Sequence, residues 1–77
     1  MKQIKKLIEV KNKLLSEELE LGFKIDKLHL FLSYDMDYDE ISNKEFLLLD
    51  SQLKSMIDYY NILGQRIEYL KEKIEVC

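Results

Sequence analysis

The twenty residues LLDSQLKSMIDYYNILGQRI, from Leu48 to Ile67, decide the fold. They sit inside an unbroken apolar seam made by Phe46, Leu49, Leu53, Met56, Tyr60, Leu63, Ile67, Leu70 and Ile74. Its steps alternate three and four, the spacing that keeps one stripe on one side of a helix. The start of this helix is marked as well. Ser42 stands at the N-cap with Glu45 three residues on, a capping box, and Ile41 and Phe46 are placed to form the accompanying hydrophobic staple. A helix over residues 43–75 follows.

Working outward, residues 2–33 read as a first helix. Leu7, Val10, Leu14, Leu21, Ile25, Leu28 and Leu32 form its seam, with Glu17 as the one polar member. Ile4, Ile8, Leu15 and Leu19 add a second apolar edge, which implies contact with more than one neighbour. Gly22 costs this helix roughly 1 kcal/mol against alanine, so a kink, a close helix approach or a break is expected there. Residues 34–41 lose helical periodicity and form the connection. Two long helices with a short connection predict an all-α fold, an antiparallel helical hairpin. Folding about residue 38 pairs Leu28 with Leu48, Leu21 with Ser55 and Leu14 with Ile62, and brings Glu17 near Tyr59, about one turn from Arg66.

Seventy-seven residues make a single domain over 1–77. A chain this short is marginally stable alone, yet 47% of its residues are hydrophobic, more than one hairpin hides. The expected remedy is assembly into a coiled-coil-like homo-oligomeric bundle. The formal net charge of -3 argues against general nucleic-acid binding. The charge is uneven: residues 1–15 carry five lysines against one glutamate, and residues 34–45 carry five acids against one lysine. One cysteine, Cys77, cannot make an intrachain disulfide and suits a reducing compartment. No apolar run has the length of a membrane span and no signal-peptide pattern is present, so a soluble, cytoplasmic protein without a membrane partner is expected.

Candidate chemistry is sparse. Gln52, Tyr59 and Arg66, spaced by seven, flank the seam. They suit a polar pocket between subunits, with tyrosine to stack, arginine to hold an anion and glutamine to read an edge. The plainer reading of the same column is a polar lock that fixes helix register, with Glu17 satisfying Tyr59 or Arg66. Lys2, Lys5 and Lys6 gather at a helix start, as an anion-binding patch or as a solvated end. Asp35, Asp37 and Asp39 alternate like the opening of a calcium loop, but Glu40 replaces the turn glycine and Phe46 the final glutamate, so a solvated acidic turn is read there. His29 is the single histidine and has no companion ligands. No nucleophile–base pair or phosphate loop appears. The expectation is no metal, no cofactor and no enzyme activity.

One resemblance goes further. Leu48-Leu49, Gln52, Met56, Tyr59, Ile62-Leu63 and Arg66-Ile67 resemble a pattern of small bacteriophage accessory proteins, LL-x-x-Q-x-x-x-M-x-x-Y-x-x-I-L-x-x-R-I. Glu18-Leu19, Ile25, Lys27-Leu28 and Phe31-Leu32 are similar to the first-helix part of those proteins, so the likeness covers roughly residues 17–67. It implies phage origin, expression in an infected bacterium and a non-enzymatic role. The polar column on an otherwise apolar seam, together with the basic end and the analogy of small helical phage oligomers that sequester immune signals, leads to the expectation of a homo-oligomer holding an anionic nucleotide-type molecule between subunits through Gln52, Tyr59, Arg66, Lys2, Lys5 and Lys6. Two other readings remain open. One is a protein-interaction module that docks on a host defence protein through Ile4, Ile8, Leu15, Leu19, Ile62 and Tyr69. The other is a structural coiled-coil component.

Overall fold

The computed structural model describes residues 2–35 and 42–76. Among these residues there are two long helices and no strand: α1, Lys2–Leu30, and α2, Asn43–Val76. They lie side by side as a hairpin in a rod of 58 × 15 × 15 Å. The middle of the connection, with Asp37, Asp39, Glu40 and Ile41's half of the staple, lies outside the described residues, as does Cys77.

Each helix has a local cause. Neither contains proline, and α2 begins where its cap dictates. Ser42 Oγ accepts from the Glu45 N–H at 3.2 Å, and the Ser42 carbonyl accepts from the Phe46 N–H at 3.0 Å. Glu45 in the first turn also suits the positive end of the helix dipole. α1 runs through Gly22 without a break. The Tyr60 ring packs beside it without requiring a glycine: a Cβ at Gly22 would sit 3.4 Å from that ring, an ordinary van der Waals contact. At its far end α1 does not simply stop. Phe31–Asp35 continue as a π-helical turn. This wider winding carries helical backbone into the stretch read as connection, and Phe31 and Leu32 are both half-buried there.

The core is a strip. Leu14, Leu21, Leu63 and Ile67 form one buried cluster, and Val10, Ile25, Met56 and Leu70 pack against it. Leu63 is fully enclosed, and Leu53 is buried as well. All of them belong to the two seams. The detailed pairing differs from a fold about residue 38. Leu48 and Ile62, expected to face Leu28 and Leu14, are 62% and 52% exposed. Leu14 shares its cluster with Leu63 and Ile67 instead. Glu17 meets Tyr59, but Gly22 meets Tyr60 and Glu18 meets Gly64. Among the described residues the register has thus slid from the one that folding about residue 38 gives, except at the Glu17–Tyr59 bond. No buried polar group is found among the described residues, and neither helix is long and apolar enough to cross a membrane.

Candidate functional site: a polar column on one flank

A helix that buries one stripe shows two flanks to either side of it. Gln52, Tyr59 and Arg66 fall on one flank of α2, each step of seven advancing about 10 Å along the axis. All three are exposed. Tyr59 Oη donates a hydrogen bond to Glu17 Oε1, so the one polar member of the α1 seam is the partner of the middle residue of the column. This bond raises the Tyr59 pKa above its ordinary value of 10.0. Partial shielding from water and the Glu17 charge push the same way, while the Arg66 charge opposes them. Arg66 is thus close enough to act on the phenol and makes no ion pair among the described residues. Gln52 turns along its own helix, with Nε2 3.9 Å from Met56 Sδ.

Counting by seven does not end at Arg66. The next step is Lys73, whose Nζ stands 5.5 Å from the centroid of the Tyr69 ring. Lys73 also lines a groove of about 240 Å³ together with Gln3, Lys6 and Leu7. The two features that looked separate in the sequence, the column on α2 and the lysines of α1, are therefore joined. Tyr59, Arg66 and Lys73 follow one another at steps of seven along α2, and Lys73 shares its groove with Lys6 at the open end of the hairpin. Lys5 is exposed and lies outside that groove, and the Lys2 side chain lies outside the described part. Lys73 is the residue that sequence reasoning missed. The resemblance ended at Ile67, and continuing the heptad count one step beyond it would have found Lys73.

The opposite flank is different in kind. A groove of about 690 Å³ runs between Leu15 and Glu18 of α1 and Gly64, Gln65 and Glu68 of α2. A second, of about 200 Å³, is lined by Leu19, Gly22, Phe23 and Tyr60. No group of three or more His, Cys, Asp or Glu side chains able to hold a metal occurs among the described residues.

Fold and surface place the molecule among small two-helix proteins with a polar strip on one flank. A family model described as Sequestin matches residues 8–69, and the chain belongs to the Sequestin family. The match spans the whole stretch that carried the phage-protein resemblance. The family name denotes sequestering, a binding role rather than a catalytic one. No curated protein and no solved structure matches the chain.

Proposed function

We propose that this protein sequesters an anionic, nucleotide-type signal molecule between copies of itself, as a phage counter-defence protein acting in the cytoplasm of an infected bacterium. The observation that carries the reading is the succession of Tyr59, Arg66 and Lys73 along α2 of a Sequestin-family hairpin, with Lys6 sharing the Lys73 groove. Tyr59 is 42% exposed and offers a ring face for a base. Arg66 and the lysines, including Lys2 and Lys5, supply charge for phosphates, and an arginine fork holds a phosphate through two bonds. Tyr59 and Arg66, about 10 Å apart along the helix, fit within one nucleotide's reach. Gln52 stands a further 10 Å or so away, so it would read an edge of the same ligand from a second copy.

Native mass spectrometry of the purified protein, with and without added cyclic dinucleotides and ADP-ribose-type nucleotides, tests this directly. A closed oligomer that gains the mass of one such molecule per site is the expected result. An oligomer indifferent to all of them overturns it. Arg66→Ala should reduce binding by roughly 10- to 100-fold, the worth of one charge-assisted bond, with the helical signal unchanged.

A second reading has its own observation. The Tyr59–Glu17 bond makes a polar lock between the helices, and in that reading the column sets register and holds nothing. Tyr59→Phe separates the two. It keeps the ring face offered to a base and so leaves a binding site largely intact, whereas it removes the only donor of the Glu17 bond, and loss of a lock loosens the hairpin with or without ligand.

A further inference from the structure

We infer that the flank opposite the polar column is a self-complementary interface, on which a second copy of the chain packs antiparallel about a two-fold axis through Leu19. This inference stands apart from the ligand reading, in which copies would meet across the other flank, the one that carries Tyr59.

The first observation is an apolar stripe with nothing over it. Ile8, Leu15, Leu19, Phe23 and Leu30 are all exposed on α1, Leu19 and Phe23 by 62% and 60%. The second is the symmetry of that stripe. Ile8 and Leu30 are each eleven residues from Leu19, and Leu15 and Phe23 are each four residues from it. A two-fold interface requires this property: residue i meets j while j meets i. Turned end for end, a second α1 sets Ile8 against Leu30, Leu15 against Phe23, and Leu19 against itself.

The third observation is that α2 repeats the symmetry at the same level. Leu15 shares one groove with Gly64, and Leu19 shares the other with Tyr60. About a point between Tyr60 and Asn61, Ile57 exchanges with Gly64 and Asp50 with Lys71. Ile57 of one copy thus meets a position without a side chain, and an acid meets a base. Neither glycine is demanded by the single hairpin. A Cβ at Gly22 or Gly64 would sit 3.4 Å from its nearest neighbour, an ordinary contact, and both glycines have helical backbone without positive φ. Each costs its helix roughly 1 kcal/mol against alanine. A neighbouring copy that seats side chains at these two positions supplies the missing reason.

Size agrees: a face of 58 × 15 Å offers roughly 800 Å² per copy, the usual share of a specific interface.

Cysteine cross-linking in a Cys77→Ser background, without ligand, decides the matter. Leu19→Cys should form a disulfide-linked dimer under mild oxidation, because residue 19 meets itself. Leu15→Cys and Phe23→Cys should each link poorly alone, their partners lying about 12 Å off along the axis, yet link efficiently when mixed. Leu19→Glu should sediment as a species of lower mass with undiminished helical circular dichroism, since Leu19 is exposed in the single hairpin. A wild-type chain that sediments as a monomer overturns the inference, leaving the face to a foreign partner. So do cross-links that form through Ile62→Cys on the Tyr59 flank and never through Leu19→Cys.

Discussion

Glu17 is the single polar side chain in the first seam, and its bond to Tyr59 gives the molecule a titration at an unusual place. The phenol donates to a carboxylate, so it must keep its proton for the bond to exist. With the folded pKa raised above 10.0, the bond's contribution is fully present below that value and is lost as pH rises through the folded one. Ultraviolet titration should show a phenol that ionises above its ordinary value of 10.0. Tyr59→Phe should remove that late step, and Glu17→Gln should move it back toward the ordinary value. Burial sorts the leucines just as sharply. Leu63→Ala deletes the one fully enclosed side chain and should cost about 2–5 kcal/mol in denaturant unfolding. Leu48→Ala, on an exposed leucine, should stay within about 0.5 kcal/mol. Periodicity placed Leu63 in the seam and left Leu48 outside it. Pairing by folding at residue 38 nevertheless set Leu14 against Ile62, one residue from the right neighbour. A stripe fixes which side of a helix is buried, but the height at which two stripes meet depends on the turn, whose winding the pattern does not encode.

At the level of the helices, the end with a chemical cap was legible and the end without one was not. Ser42 and Glu45 mark the start of α2 by a side-chain bond that sequence spacing specifies. Ser42→Ala should therefore cost about 1 kcal/mol, read as a drop in the thermal midpoint. The end of α1 has no such signal. Phe31–Asp35 pass into a π-helical turn, and neither glycine nor proline falls there to announce it. The polar column was legible as far as the quoted pattern reached, through Gln52, Tyr59 and Arg66. Its link to Lys6 was not, because that link depends on how the two open ends of the hairpin lie together. Gly22 shows the same divide. Its type predicted a kink, a close approach or a break, and only the structure shows that α1 runs through it unbroken, with an ordinary contact to the Tyr60 ring.

At the scale of the whole molecule, the described residues form a rod with a buried strip along its middle. Its most enclosed contacts lie far from the turn: Leu14 and Leu63 share a cluster although 49 residues separate them in the chain. That placement has a kinetic meaning. A hairpin that gains its burial next to the turn can zip shut from there, each step short. Here the rewarding contacts come only after a long loop has closed, so the entropy of closure is spent before burial returns it. Folding should therefore be slower than helix content alone suggests. Lengthening the connection with glycine and serine should change the rate little, because doubling a loop costs only about 0.6 kcal/mol. Stopped-flow refolding of such an insertion beside Leu63→Ala would show which of the two sets the pace, the length of the turn or the distant leucines that must find each other.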